Sequence, residues 1–227
     1  MTAKMIKTDW IAIKSHHWRL IILGVLLIAF CFMGMSMIVI PLSSYMAMIF
    51  TTNTFAVEEK GRLDLFYLTL PVSRKNIVRG RFIFMFVCIA VALITTIAVT
   101  LNFVPTLQLG DYRYDINPFV LAVLSGGGFA FSGLVNLCMY PTMFRLGYEK
   151  GKVFGFYIPI FLLSAFVSGV TIFFNHKLDL IIKFLTYFTE NTAVAGTRLS
   201  FILYGAGAIL FGISYTLSQK IYENRNL

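Results

Sequence analysis

Six apolar runs divide this chain, and they constrain its fold more than any other feature. A bilayer core of about 30 Å needs roughly 20 apolar residues in a helix. No hydrophilic block is long enough for a soluble domain, and only 13% of the 227 residues are charged. The sequence therefore predicts one all-α membrane domain, 1–227, with six transmembrane helices. The predicted spans are Leu20–Ile40, Leu42–Val57, Phe82–Phe103, Pro118–Tyr140, Val153–Phe174 and Leu199–Ser218.

The basic residues give these spans an orientation. Of the 19 lysines and arginines, 15 fall on the side of the two termini. The other four are Arg113, Lys177, Lys183 and Arg198. Basic loops are cytoplasmic in membrane proteins, so both termini are predicted to be cytoplasmic. Pro41 is expected to separate the first two spans. The second span is short and rich in Thr and Ser, but without it the charge segregation would be lost.

Two segments are predicted to lie along the membrane rather than cross it. Residues 1–19 favour an amphipathic interfacial helix, with Trp10 at the headgroups and Lys14 toward anionic lipid; a frayed tail is the alternative. His176–Thr197 has apolar residues at helical spacing and is interpreted as a shallow or re-entrant outer helix before the last span. The other outer loop, Val104–Asn117, is predicted to be a polar turn region.

The spans carry little reactive chemistry. No charged residue lies in the middle of a span, which disfavours an ion-coupled secondary transporter. All three histidines lie outside the spans, and the sequence contains no phosphate-binding loop of the G-x-x-x-x-G-K-[ST] type. We therefore expect no catalytic residue, no metal and no cofactor in this chain, and the net charge of +9 is assigned to topology rather than to nucleic acid.

Three polar positions within the spans, Thr51, Asn53 and Asn136, are candidates for a substrate path. Thr51 and Asn53 belong to the run TTNT near the cytoplasmic end of the second span, which could admit a charged peptide or simply bond its own backbone. Asn136 could contact substrate or form an interhelical hydrogen bond. The nearby small residues Ser125–Gly128 and Gly133, like the glycines of the sixth span, favour close helix packing, with a hinge as the alternative.

The most charged stretch, Glu58–Arg81, reads EEKGRLDLFYLTLPVSRKNIVRGR. Its apolar residues follow helical spacing and form a short stripe; Pro71 ends that helix, and Ser73 is the predicted N-cap of the next. The stretch is interpreted as a cytoplasmic amphipathic helix, with a helix resting on lipid as the alternative. The stripe comprises Leu63, Phe66, Tyr67 and Leu70.

This arrangement resembles the permease subunit of ABC-2-type ATP-binding cassette exporters. The resemblance rests on the interfacial helix, the six spans and the loop pattern E-E-K-G-(x)n-L-P-V-S-R-x-x-I-V-x-G-R over residues 58–81. The chain is similar to small permeases of Gram-positive bacteria that export phenol-soluble modulins or lantibiotics.

The resemblance implies that the loop is a coupling helix that docks into a cleft of a separate ATPase subunit. The stripe would fill the cleft, acidic and basic residues would set register at its rim, and Arg74, Lys75, Arg79 and Arg81 would anchor the third span at the headgroups. The implied coupling residues are Glu58, Glu59, Gly61, Arg62, Leu63, Asp64, Phe66, Tyr67, Leu70, Pro71 and Arg74.

The function expected from this resemblance is export of an amphipathic or hydrophobic compound, a peptide above all, across a bacterial plasma membrane. The resemblance further implies that ATP and Mg are held by the partner ATPase and that two permease copies, identical or paralogous, form the path. The alternative is a membrane anchor or sensor for a partner ATPase, acting in immunity or signalling without transport.

Overall fold

The computed structural model describes residues 36–61, 73–103, 106–109, 112–115, 117–155 and 191–224 and the isolated positions 18, 22, 24, 25, 27, 29, 30, 157, 158, 161, 164 and 168. Most of the predicted interfacial helix, with Trp10 and Lys14, therefore lies outside the described residues. So do residues 62–72 between α2 and α3, which we call the charged loop, the outer segment 176–190, and most of the first and fifth predicted spans.

Helices form nearly all of the described chain. They are α1 (Ser36–Thr51), α2 (Asn53–Gly61), α3 (Arg74–Phe103), α4 (Pro118–Leu146) and α5 (Thr192–Glu223), with further helical turns at 148–155. Four stretches are long and apolar enough to cross a membrane: Ile38–Gly61, Arg74–Asn102, Pro118–Leu146 and Ala193–Glu223. They correspond to the second, third, fourth and sixth predicted spans, so the prediction of a helical membrane protein is confirmed.

The predicted break at Pro41 is wrong, because α1 runs through this residue. A proline removes one backbone donor from a helix, but in a membrane helix neighbouring groups compensate. The Ser44 hydroxyl donates to the Pro41 carbonyl at 2.8 Å, which ties Pro41 into the next turn of α1. Pro41 also packs against α4, where a Cβ added to Gly128 would lie 2.5 Å from the Pro41 Cα. Residues 36–40 thus belong to the second span, which is the least apolar of the four and the most buried.

Helix α4 is the centre of the described bundle and packs most extensively along α5. A Cβ on Gly133 would lie 3.1 Å from the Gly207 carbonyl oxygen, and a Cβ on Gly126 would lie 3.2 Å from the Leu203 Cβ. These approaches favour the close-packing interpretation of the small-residue cluster. Among the described atoms, a Cβ on Gly127 would have no neighbour within 4 Å.

A short β-hairpin, which the sequence analysis missed, lies between α3 and α4. Strand β1 (Thr106–Leu109) pairs antiparallel with β2 (Tyr112–Asp115), with Thr106 opposite Asp115 and Leu109 opposite Tyr112. The predicted polar turn region is therefore partly ordered as strands. Asn117 then caps α4, since its side-chain oxygen accepts from the Phe119 amide at 3.1 Å. We call this side of the bundle the hairpin end.

Helices α4 and α5 run parallel. Gly196, near the start of α5, packs on Phe119 at the start of α4, and Tyr222 packs on Phe144 where both helices finish, with ring centroids 5.2 Å apart. The chain leaves α4 at one end of the bundle and enters α5 at the other. Helix α5 begins at Thr192, so the last residues of the predicted outer segment 176–197 belong to the sixth span.

Candidate functional site

A buried ion pair joins the two helices that flank the charged loop. Arg81 of α3 donates a hydrogen bond to the Glu58 carboxylate of α2. Arg81 is 2% exposed and Glu58 is 7% exposed. The prediction that Arg81 anchors the third span at the headgroups is therefore wrong. Glu58 likewise faces inward to Arg81, rather than lying at an exposed rim.

Aromatic rings surround this pair. The Arg81 guanidinium carbon lies 4.2 Å from the centroid of the Phe55 ring and 5.6 Å from that of Phe144. Phe55 and Phe144 in turn meet edge to face, with centroids 4.9 Å apart. A guanidinium over an aromatic face gains electrostatic attraction, and the apolar surroundings reduce screening of the ion pair. The rings therefore hold α2, α3 and α4 around one charged centre.

Glu59 makes a different connection. Its carboxylate accepts hydrogen bonds from the backbone amides of Tyr148 and Glu149, the second at 3.1 Å. These amides begin the helical turns at 148–155, where unpaired N–H groups and the helix dipole favour an anion. Gly147 precedes them with φ +82°, and a Cβ there would lie 3.0 Å from a Glu59 carboxylate oxygen. Position 147 therefore favours glycine, both because φ is positive and because a side chain would crowd the Glu59 carboxylate.

The start of α3 is tied to the end of α5. The Arg74 guanidinium donates to the backbone oxygens of Tyr222 at 3.3 Å and Glu223 at 3.0 Å. Lys75 lies 3.6 Å from the Glu223 carboxylate. Cations at a helix C-terminus satisfy its free carbonyls and complement its dipole. Arg74 and Lys75 therefore bind a neighbouring helix end, in addition to any role at the membrane surface.

The contacts of Glu58, Glu59 and Arg81 meet around a cavity of about 120 Å³. We call the surrounding cluster the helix-end joint and define it by Phe55, Glu58, Glu59, Arg81, Phe144, Gly147, Tyr148 and Tyr222. It places the ends of α2, α4 and α5 and the start of α3 on one side of the bundle, opposite the hairpin end. The paired and capping carboxylates make it a structural connection rather than a reactive centre.

The predicted coupling residues are only partly described. Gly61 ends α2 and is exposed, and Ser73 stands at the N-cap position of α3, where its carbonyl oxygen accepts from the Asn76 amide at 2.9 Å. The remaining predicted residues lie outside the part of the chain that the structure describes: Arg62, Leu63, Asp64, Phe66, Tyr67, Leu70 and Pro71.

The TTNT run bonds its own backbone. The side chains of Thr51, Thr52, Asn53 and Thr54 each donate to the carbonyl three residues earlier, at 2.6 to 2.8 Å. Such bonds compete with the regular helical pattern, and α1 and α2 meet here at Thr52. The Thr51 hydroxyl also lies 2.7 Å from the Tyr140 hydroxyl of α4. In this conformation the geometry of the TTNT run matches the alternative in which its side chains bond their own backbone.

Asn136 is fully buried between three helices. Its side-chain amide donates to the Met85 sulfur of α3 at 3.1 Å, and its backbone carbonyl accepts from the Ser214 hydroxyl of α5 at 3.0 Å. Among the described residues its side-chain oxygen has no hydrogen-bond partner. The geometry matches the interhelical alternative for this residue.

Sequence reasoning missed the aromatic part of the joint. Phe55, Phe144, Tyr148 and Tyr222 are ordinary apolar residues within or beside predicted spans, and nothing in their spacing marks them. A buried Glu58–Arg81 pair could have been suspected, since both charges lie next to apolar runs, but the sequence separation of 23 residues follows no helical period.

Comparison with known proteins identifies the class. A family model described as "ABC-2 family transporter protein" matches residues 4–223, so the chain belongs to the ABC-2 transporter family. It is therefore a membrane-embedded permease subunit of an ATP-binding cassette transporter, and this membership implies a partner ATPase. No curated protein and no solved structure matches the chain.

Proposed function

We propose that this chain is the permease of an ATP-driven exporter that moves an amphipathic or hydrophobic compound, a peptide in our proposal, out of a bacterial cell. ATP and Mg are held by the separate ATPase subunit. The chain spans the plasma membrane six times with both termini in the cytoplasm, and two permease copies line the path.

The helix-end joint is the observation that carries this proposal. The charged loop 62–72 leaves α2 at Gly61 and enters α3 just after Ser73. Glu58 and Arg81 fix these two helices to each other, and Glu59 and Arg74 fix them to the turns at 148–155 and to α5. A loop whose two ends are held in this way can transmit force to the spans when a partner pushes on it. A topological tether would need no such connections.

The charge distribution supports the proposed orientation. Arg74, Lys75, Arg79, Arg145 and Lys220 all lie at the end of the bundle that holds the joint, since they are in the terminal turns of helices that meet there. This is the cytoplasmic end by the positive-inside rule. The loop therefore faces the compartment that contains ATP.

The substrate path belongs to the same proposal. Thr51, Asn53 and Asn136 remain candidates for it in a conformation that ATP binding would produce, because each already has its polar group inside the bundle.

The membrane anchor or sensor for an ATPase is the second candidate function, since a fixed loop would also serve simple docking. ATPase turnover stimulated by a transported compound separates the two.

The test of the partner contact uses a matched pair of loop variants. The permease is expressed with the ATPase encoded beside it and purified through a tag on the permease. Leu63→Asp with Phe66→Asp places two charges on the predicted apolar stripe, whereas Leu65→Asp places one on the opposite face of the predicted helix. A charge in a buried cleft is strongly unfavourable, so the double variant should lose the ATPase.

The control should retain the ATPase at the level of the unchanged permease. Equal retention by both variants, or no ATPase with any of them, would contradict the coupling-helix proposal. Retention of the ATPase by the unchanged permease, without stimulation of ATP hydrolysis by any exported compound, would favour the anchor or sensor.

A further inference from the structure

Glu59 connects the loop-bearing helix to a part of the chain that follows α4. It lies one turn or less from the start of the charged loop, yet both of its hydrogen bonds go to amides about 90 residues later, at Tyr148 and Glu149. The bond to Glu149 is 3.1 Å long. These amides open the helical turns at 148–155, from which the chain continues toward the predicted fifth span.

The turns at 148–155 are themselves held tightly against α4. A Cβ on Gly151 would lie 2.8 Å from the Met143 Cα, and a Cβ on Gly155 would lie 2.7 Å from the Met139 Cα. Backbone approaches this close leave little freedom for the turns to slide on α4. Gly147, with φ +82°, joins α4 to these turns, and the amides directly after it are the ones that Glu59 holds.

We propose that Glu59 is a positioning residue that makes α2 and the turns at 148–155 move as one body, so that displacement of the loop by the ATPase reaches the fifth span directly. The inference rests on the proposed function. It assigns to Glu59 a task inside the permease, separate from the ATPase contact that the loop pattern implies for it. The neighbouring Glu58 cannot substitute, because its carboxylate is committed to Arg81.

Glu149 provides a matched control. It carries a carboxylate in the same helical turn, but that carboxylate faces solvent and accepts a hydrogen bond from Lys152 at 2.6 Å. This hydrogen bond raises the pKa of the Lys152 ammonium group. Removing the Glu149 side chain deletes one negative charge from the same region, as removing the Glu59 side chain would, and leaves the Glu149 backbone amide available to Glu59.

The experiment measures whether the two parts move together. In a variant with Cys31, Cys88 and Cys138 replaced by Ala, spin labels are placed at Lys60→Cys and Lys150→Cys, both exposed in the structure. The labelled permease is assembled with its ATPase in lipid nanodiscs and diluted with unlabelled permease. Pulsed electron paramagnetic resonance then gives the label distance without nucleotide and after trapping with ATP, Mg and vanadate.

We expect the same mean distance and width in both states for the unchanged Glu59. Glu59→Ala should broaden or shift the distribution after trapping, Glu59→Gln should largely restore it because an amide oxygen still accepts from the two N–H groups, and Glu149→Ala should leave it unaltered. Vanadate-trapped nucleotide in the ATPase verifies the trapped state.

Two results would overturn the inference while leaving the proposed function intact. One is a change in label distance on trapping with Glu59 present, and the other is a Glu59→Ala distribution identical to that of the parent. Failure of the ATPase to assemble with the unchanged permease is a different result, which counts against the proposed function itself.

Discussion

Arg81 and Glu58, 23 residues apart in sequence, form an ion pair that is almost completely shielded from solvent, with the Phe55 ring 4.2 Å from the guanidinium carbon. The pair lies at the point where a membrane span gives way to the charged loop. The stability of the pair and the positions of the two helix ends that border the loop are therefore linked.

Glu58→Ala should destabilise the permease by about 3–5 kcal/mol, because it leaves the Arg81 charge buried without its carboxylate. The double change Glu58→Leu with Arg81→Met removes both charges and should recover most of that loss. Unfolding of the purified permease in mixed micelles by increasing denaturing detergent measures the free energy. Lys75→Met is the control, since its pair with Glu223 is largely exposed and should contribute less than about 1 kcal/mol. A double variant no more stable than Glu58→Ala would contradict the account.

Gly128→Ala should separate α4 from α1, whereas Gly127→Ala should not. A Cβ at Gly128 would lie 2.5 Å from the Pro41 Cα, a backbone atom that cannot turn aside. We expect a loss of about 1–3 kcal/mol for Gly128→Ala. At Gly127 the added methyl has open space among the described atoms, so higher helix propensity should make Gly127→Ala neutral or stabilising by up to about 1 kcal/mol. The same unfolding measurement compares these adjacent variants, and equal effects would refute the proposed packing.

The hydroxyls of Thr51 and Tyr140 should be energetically coupled. They lie 2.7 Å apart between α1 and α4. A double-mutant cycle of Thr51→Val and Tyr140→Phe should give a coupling of about 0.6 kcal/mol, with about 1.7 kcal/mol as the upper range seen for membrane helices. The Thr51 hydroxyl also donates to its own backbone at Met48, which keeps the expected value toward the lower figure. A coupling of zero would show that the two hydroxyls contribute independently.

The variant Asn136→Leu tests whether Asn136 only packs between helices or also contacts the substrate. Among the described residues the side-chain oxygen of Asn136 has no partner, and a buried polar atom in that situation costs about 1–3 kcal/mol. A leucine has the same number of side-chain heavy atoms but occupies more space, so removal of the unpaired oxygen and the added volume should roughly offset each other and leave stability close to unchanged. Stimulation of ATPase activity by an exported compound should persist in this variant if Asn136 only packs. Loss of stimulation in a variant of normal stability would assign Asn136 to the substrate path.

The helical class and the positions of four spans follow from the sequence because apolar run length and the distribution of basic residues are properties of short segments. The prediction that Arg81 is a headgroup anchor was wrong because burial depends on residues that are distant in sequence. Local pattern places a basic residue at a span end, but only the packing of Phe55 and Phe144 around it decides whether it faces lipid or the interior. Pro41 was misread in the same way, since its local tendency to break a helix was outweighed by contact with Gly128 of another helix.

The parallel packing of α4 on α5 has an electrostatic consequence. The stretch Ile38–Gly61 also runs from the hairpin end toward the helix-end joint, so three of the four described spans present their carbonyl-rich, negative termini on the basic side. Basic residues gathered there, with Arg74 bound to the last carbonyls of α5 among them, consequently complement aligned helix dipoles in the folded bundle. Moving a positive charge from this side to the other would therefore exchange a favourable interaction with three negative helix ends for an unfavourable one with their positive ends.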